Sequence, residues 1–455
     1  MNSERFNTHV LRLIPLETKV LVAYSGGADS TTLLLLMHGA GYDVVACHLH
    51  HGMRVEADQE LLNCQGICDS IGVPFASGRA DVPKISTDRN ISIEEAGRQA
   101  RYAFFAQVKA STGCEIVVTG HTADDQLETV LHHLIRGSGL KGICGIPEIR
   151  EDIVRPLLPF SREETREFCT SRGLWFHDDP DNFNLKYTRV KLREKVVPEL
   201  LKINPTALES VRRMTTILRE EDAYLDSAAA AFLETIEFPL NDQLAFLTRS
   251  QEFGFTLSGY RSGPAVLAKR SLKLLLSFFG GQPSFDQILD LDDSLRTLES
   301  GGKSLGEEIE IQWTPERAIV FLNQSTEPYR HVVTLPGETL ADSLGWKFEA
   351  EPWPKNDFKR QRNSLEVIIN NDAIKGQIFF RSMQTGDKIQ PLGMEGSKLV
   401  SDLLQEAKLT HLARKSLPIL CDLVGPFWIP GIALSERVKI KEDTNSAIRL
   451  SFCPF

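Results

Sequence analysis

Long apolar runs, paired cysteines and an excess of positive charge are all missing from this chain, and each absence removes a class of function. No stretch of about 18 uninterrupted apolar residues occurs, so a membrane-spanning helix is not expected. The start, MNSERFNTHV, has neither the basic end nor the apolar stretch of a signal peptide, which makes a cytoplasmic protein the expectation. The cysteines (Cys47, Cys64, Cys68, Cys114, Cys144, Cys169, Cys421 and Cys453) are scattered, without a CxxC pair. That argues against a disulfide framework, a zinc ribbon or an iron–sulfur site. A Walker lysine is missing too, because GxxxxGK[ST] does not occur. With 51 Lys plus Arg against 61 Asp plus Glu, the net charge of -10 would repel a polyanion if it were spread evenly.

What is present begins with size: 455 residues, 42% hydrophobic and 25% charged, make an ordered protein that can bury several cores in roughly three domains. The charge is uneven. From Lys186 to Arg219 nine basic residues stand against three acidic ones, a run that alone reads as a solvated helix face. Through the first third, apolar runs alternate with helical patterns. KVLVAY (19–24), DVVACHLH (43–50) and EIVVTG (115–120) read as strands. TTLLLLMHGA, Ile93 to Lys109 and Ala123 to Ile135 read as helices. This alternation predicts an α/β domain with a parallel sheet, placed at 1–197. A basic linker helix is expected over 198–233, a small mixed domain over 234–330, connecting strands and loops over 331–374, and a last mixed unit over 375–455. Pro328, Pro336, Pro352 and Pro354 punctuate the stretch from Thr326 to Asn363 like loops and edge strands.

The segment YSGGADS (24–30) follows a predicted strand and opens a predicted helix, where backbone N–H groups and the positive helix end converge on an anion. Gly26 and Gly27 permit close approach, and Ser25 and Ser30 offer hydroxyls to phosphate oxygens. Asp29 is the odd member. A carboxylate beside a phosphate cradle is repelled unless a cation or donor intervenes, so it reads as a magnesium-directed ligand or an orienting group. Further on, TGHTADDQLETVLHHLIRGSGLKGICGIP (119–147) leaves a strand at its carboxyl end, where open α/β sheets bind ligands. It brings His121, Asp124, Asp125 and Glu128 to the start of a helix. Such carboxylates can hold magnesium or take a proton; Asp124 and Asp125 also suit the helix dipole, and His132 and His133 read as packing residues.

The loop resembles that of the N-type ATP pyrophosphatases, whose pattern SGGxDS is matched by Ser25, Gly26, Gly27, Asp29 and Ser30. Within that superfamily the chain is similar to the tRNA(Ile)-lysidine synthetases. HLHHGMR (48–54) resembles their HxNHGLR, with His50 in the place of Asn. SIEEAGRQARYAFF (92–105) resembles their E-x-x-AR-x-x-RY helix through Glu95, Arg98, Arg101 and Tyr102, with Gly97 as a poor helix former. The 119–147 segment matches HxxDDQxETxLxxLxRGSGxxGLxG almost throughout. DDPDNFNLKYTRVKLREKVVPEL (178–200) resembles DxSNxxxxYxRNxIRxxxxPxL through Asn182, Tyr187, Arg189, Arg193 and Pro198, with Val190 replacing Asn. Residues 379–440 look like the family's terminal domain through Arg381, Gly386, Asp387, Gly393, Gly396, Lys398, Arg414, Pro418 and Gly431.

The resemblance implies an adenine nucleotide alpha-hydrolase-like α/β domain followed by two smaller mixed α+β domains. It also implies ATP and Mg2+ as cofactors, and ligation of L-lysine to C2 of the wobble cytidine of tRNA(Ile) with a CAU anticodon, through an adenylated intermediate. On this reading Ser25, Gly26, Gly27, Ala28, Asp29 and Ser30 bind ATP, and Asp29 and Asp125 serve magnesium or orientation. Arg101 and Arg193 stabilise phosphate charge; His121 and Glu128 position the nucleotide or the incoming amine, and the identity of the base stays open. Lys388, Lys398, Lys408, Arg414 and Lys415 suit contacts to the tRNA backbone. No membrane partner is expected, and a homodimer is left open. Two rivals are a tRNA thiolase and a catalytically silent tRNA-binding protein. Cluster-dependent thiolases call for paired cysteines, whereas Cys64 and Cys68 are spaced CxxxC, and pure binding does not require the carboxylates.

Overall fold

The computed structural model describes residues 3–52, 57–178, 188–306, 308–323, 327–341, 345–354 and 365–454. The chain divides into two compact units, Met1–Tyr224 and Leu225–Phe455.

The first unit opens with α1 (Ser3–Leu13), β1 (Val20–Ala23), α2 (Ala28–Gly39), β2 (Val44–His50), α3 (Ala57–Ile71), β3 (Phe75–Arg79), α4 (Val82–Arg89) and α5 (Ile93–Thr112). It continues with β4 (Ile116–Val118), α6 (Ala123–Ile135), α7 (Leu140–Ile143), β5 (Ile149–Arg150), β6 (Ile153–Val154) and α8 (Arg162–Ser171). The strands form one sheet in the order β3-β2-β1-β4-β6-β5, parallel except for β5. The apolar runs form strands for a reason the packing makes plain. Val20 and Val22 sit in a core with Phe6, Leu34, Met37 and Phe160, while Leu21 between them faces a second core with Val45, Phe105 and Val108. Alternate side chains thus bury both faces, as helices on both sides of a parallel sheet require.

The helices begin and end on local signals. Ser92 Oγ accepts from the Glu95 N–H (3.1 Å) at the start of α5, and Gly113 closes it in the left-handed region (φ 72°). Gly97 does not break α5; a Cβ there would stand 3.7 Å from Val82 Cγ1, so the glycine lies where α4 packs close. The strand order reverses at β1, with β2 on one side and β4 on the other. The crevice beyond the carboxyl ends of β1 and β4 is therefore a topological switch point.

After α8 come α9 (Thr188–Lys191), a π-helical turn at Leu192–Val196, α10 (Val197–Ile203) and α11 (Ala207–Ile236). The helical pattern from Pro198 to Leu233 is thus interrupted. Asn204 is extended (φ -137°), as a residue before Pro205 tends to be, and its side-chain oxygen takes the Thr206 N–H at 3.0 Å.

The second unit is mixed and mainly antiparallel. Glu252–Thr256, Arg317–Leu322, Ile309–Trp313 and Gly301–Leu305 form a sheet in that order, cored with helices Ala265–Phe278 and Phe285–Thr297 through Leu272, Leu276, Leu291 and Ile311. Two further sheets share a core that includes Trp346, Phe348, Phe380, Trp428 and Phe452. Trp346–Trp353 corrects the expectation of loops and edge strands, since it is paired on both sides, with Gly337–Ala341 and with Ala447–Pro454. Pro352 is tolerated there because one neighbour's pairing stops at Ala350, leaving no partner for the N–H that proline lacks.

Candidate active site

The turn from β1 into α2 carries the glycine-rich loop. Gly26 has φ +86°, and a Cβ on it would come within 2.9 Å of Cys64 Sγ, so both its backbone angle and its surroundings demand glycine. Ser30 Oγ accepts from the Ser25 N–H (3.2 Å), lies 3.1 Å from Ser25 Oγ and donates to the Gly27 carbonyl (3.1 Å). The two serines therefore close the loop on itself while the first N–H groups of α2 stay free of intrahelical partners. A Cβ on Gly120, just beyond β4, would stand 3.1 Å from the Ser30 nitrogen. Glycine at that position lets the β4 loop lie directly against the phosphate loop.

Next to it is an acidic cluster. At the N-terminus of α6, Asp125 Oδ2 accepts from the Thr122 N–H (2.8 Å) and hydroxyl (3.1 Å), a capping interaction that fixes the carboxylate. Its Oδ1 accepts from Arg162 Nη2 at 2.9 Å. One turn on, Glu128, with a side chain only 3% exposed, accepts from Arg162 Nη1 (3.1 Å) and from Arg193 Nε and Nη2 (2.8 and 2.9 Å). Asp124 accepts the Arg162 backbone N–H at 2.7 Å. On α2, Asp29 accepts from the Thr165 hydroxyl and lies 3.9 Å from Arg162 Nε. Three carboxylates from two helices thus draw on two guanidinium groups, and a fourth, Asp124, on a backbone N–H.

The electrostatics follow from this crowding. Burial pushes the Asp29 carboxyl up to about 6, the neighbouring Asp125 adds to the rise, and Thr165 and Arg162 offset it only in part. Asp125 ends below the usual carboxylate range: burial raises it, but Arg162, His121, the Thr122 N–H and Arg193 outweigh that. Burial lowers the Arg162 guanidinium, yet the surrounding carboxylates hold it firmly charged. His121 is driven down to about 4 by burial, with Arg155, Arg189 and Arg101 pushing the same way against Asp125, so its ring is neutral near pH 7. Its Nδ1 lies 2.8 Å from the Thr119 hydroxyl.

The structure brings Asp29, Asp125, Glu128 and Arg193 together around Arg162, beside the loop formed by Ser25, Gly26, Gly27, Ala28 and Ser30. Arg101 is placed differently. It is exposed on α5, and no hydrogen bond or ion pair joins it to the acidic cluster among the described residues. Of the basic stretch, Arg189 donates to Thr129 Oγ1 (2.7 Å), Arg219 to the Cys144 and Ile146 carbonyls (3.1 and 2.6 Å), and Arg212 to Glu209 (2.7 Å). These side chains are engaged by the protein itself. In the second unit Lys398 pairs with Glu406 (2.9 Å), while Lys388, Lys408 and Lys415 are exposed. No group of three or more acidic, histidine or cysteine side chains able to hold a metal occurs among the described residues. Cys64 and Cys68 are fully buried, and burial pushes both thiols up to about 12, far from a reactive or metal-ligating thiolate.

A family model described as PP-loop domain matches residues 2–200, and one described as TilS substrate C-terminal domain matches residues 378–451, together more than half of the chain. The tRNA(Ile)-lysidine synthase of Dehalococcoides mccartyi is 27% identical over 478 residues, covering 99% of this chain and 99% of that protein. That of Clostridioides difficile is 29% identical over 461 residues (97% and 96%), and that of Caldanaerobacter subterraneus 26% over 456 residues (97% and 95%). The chain belongs to the tRNA(Ile)-lysidine synthetase family.

Two departures from the family's motifs now have a local reading. His50 Nδ1 accepts the Gly52 N–H at 3.0 Å, a bond that the side-chain oxygen of Asn could also accept. Val190 is buried and apolar, so no amide acts at that position. Met53, Arg54, Asp181, Asn182 and Tyr187 lie outside the described residues. The residue that reading the family's motifs missed is Arg162. SREE marks only a helix start, through the Ser161–Glu164 capping box with a cation in the first turn against the dipole; nothing local names the acids that recruit it.

Proposed function

We propose that the protein ligates L-lysine to C2 of the wobble cytidine of CAU-anticodon tRNA(Ile), consuming ATP and releasing AMP and pyrophosphate. The observation that carries this reading is the acidic cluster tied by arginines directly beside a phosphate loop at the sheet's switch point. A site that only bound phosphates would be weakened by Asp29, Asp125 and Glu128. Membership of the family supplies the substrates.

In the first step the C2 oxygen attacks the α-phosphate of ATP; a phosphorus–oxygen bond forms and the bond to pyrophosphate breaks. In the second the lysine ε-amine attacks C2, the bond to the AMP oxygen breaks, and the amine gives up a proton. Ser25, Ser30 and the N–H groups opening α2 hold the phosphates. Arg193 and Arg101 balance phosphate charge. Neutral His121 can donate or accept a hydrogen bond without adding charge, and Glu128 orients. Magnesium on a nucleotide takes one or two carboxylates, with waters and phosphate oxygens completing its shell, and Asp29 and Asp125 are a donor set of that size. When bound it would neutralise phosphate charge. The working compartment is the cytoplasm; no helix among the described residues is long and apolar enough to cross a membrane.

The test is incubation of purified protein with ATP, Mg2+, labelled lysine and the CAU-anticodon tRNA, beside an Asp125→Ala control and a tRNA with another wobble base. Lysine incorporation that needs both cytidine and Asp125 is expected. Pyrophosphate release without lysine incorporation would keep the adenylating fold but overturn the substrate, and tight tRNA binding without turnover would favour a silent binding protein. The buried thiols of Cys64 and Cys68 speak against a cluster-dependent thiolase.

A further inference from the structure

One residue reaches every carboxylate of the cluster, three through its guanidinium and the fourth through its backbone. Arg162 Nη2 donates to Asp125 (2.9 Å), Nη1 donates to Glu128 (3.1 Å) and Nε stands 3.9 Å from Asp29, while its backbone N–H holds Asp124 (2.7 Å). The same helix contributes Thr165, whose hydroxyl donates to Asp29. The first turn of α8 therefore clasps a carboxylate of α2 and three of α6. A planar fork with five donors can serve three acceptors in different directions, which an ammonium on a flexible stem cannot do with the same geometry. The charge matters as much as the shape. Arg162 and Arg193 leave the four carboxylates with an excess of negative charge, in a pocket where Asp29 and Asp125 already repel one another. Without Arg162 that excess grows by one.

We propose that Arg162 is a positioning residue and an internal counter-cation. It draws Asp29, Asp125 and Glu128 onto one centre and sets, through its own charge, how strongly the cluster attracts an external cation. The inference rests on reading the cluster as part of the working site. It assigns Arg162 no contact with substrate; the residue acts through the carboxylates.

The experiment compares the full-length protein with Arg162→Gln, which keeps hydrogen bonding without the charge, and Arg162→Lys, which keeps the charge without the fork. Mn2+ binding to the nucleotide-free proteins, read by electron paramagnetic resonance, is set beside kcat and KM for lysine incorporation, with circular dichroism confirming the fold. Arg162→Gln is expected to bind Mn2+ about tenfold more tightly than the parent, because a positive charge a few ångströms away is gone. Its kcat is expected to fall by about 100-fold, with KM for ATP changing by less than about threefold. Arg162→Lys is expected to keep the parent's Mn2+ affinity and recover only part of kcat. Unchanged or weaker Mn2+ binding in folded Arg162→Gln overturns the counter-cation role, and parental kcat in Arg162→Lys overturns the positioning role. If Arg162→Gln does not fold, Arg162→Met is read for Mn2+ binding in its place, and Arg162→Lys still decides the positioning role by its kcat. Tighter Mn2+ binding by Arg162→Gln, with no lysine incorporation by the parent itself, would sink the proposed function and the positioning role that rests on it, and leave the counter-cation role standing.

Discussion

In the second unit Asp387 and Asp422 each have an arginine of their own, whereas in the first unit Asp29, Asp125 and Glu128 share Arg162 and Arg193. Arg381 grips Asp387 through two bonds of 2.7 Å, and the Gln384 N–H adds a third at 2.8 Å. Arg437 grips Asp422 at 2.8 and 2.9 Å, with the N–H groups of Lys375 and Val424 both at 2.9 Å. Burial raises both carboxyls, yet these partners hold them below the usual range. Each pair is complete without a ligand. The first unit's cluster is not, since Asp29 stays near 6 despite Arg162 and Thr165. A closed pair holds a fold together; a cluster short of positive charge is a place where a cation completes the structure.

The sharpest way to test that contrast is to remove a shared acid. Glu128→Ala leaves two guanidinium groups facing a gap, so lysine incorporation should fall by at least about 100-fold and stability by about 3 kcal/mol. Glu128→Gln should recover most of the stability but little of the rate, as read by urea unfolding and labelled-lysine incorporation. Arg381→Ala should do the reverse. With side chains only 11% and 10% exposed, the pair's loss should cost about 3 kcal/mol, while affinity for ATP stays unchanged. A drop in ATP affinity there would break the distinction between the two kinds of charge. Gly26→Ala comes next. The positive φ and the approach to Cys64 should cost about 1–3 kcal/mol and weaken ATP binding, measured by thermal melting and nucleotide titration.

Much of the first unit was legible because its strands are buried on two faces and its helices on one. The run 19–24 contains β1, and the helix read from Ala123 to Ile135 is α6. The loop was legible because its chemistry is local: Ser25 and Ser30 are five residues apart and bond each other. Arg162 was not, because its partners Asp124, Asp125 and Glu128 are 38, 37 and 34 residues away. No periodicity links a cation to acids on another helix. Arg193, a phosphate partner on the family resemblance, donates to Glu128 through Nε and Nη2, an interaction that again depends on tertiary placement. Trp346–Trp353 was hidden for a different reason. Prolines mark sheet edges statistically, but Pro352 sits past the end of a neighbouring strand, a matter of register that composition does not carry.

The smallest effect, and the one most specific to the cluster, is the dependence of nucleotide binding on pH. A carboxyl raised to about 6 in the folded protein, against 3.8 ordinarily, binds its proton more tightly folded than unfolded. Its contribution to stability is therefore fully present below about pH 4 and is lost as the pH rises through about 6. A cation arriving with ATP wants the ionised form, so the sign for binding is opposite. Affinity for magnesium-ATP should increase by less than about tenfold from pH 5 to pH 7 and level off above. Asp29→Asn should flatten that rise and weaken binding at pH 7. His121 cannot produce the same curve, because its ring, driven down to about 4, is already neutral throughout that window. Calorimetric titration at pH 5, 6 and 7 separates the cases: a slope that survives in Asp29→Asn would place the titrating group elsewhere and remove the main electrostatic difference between this cluster and the closed pairs of the second unit.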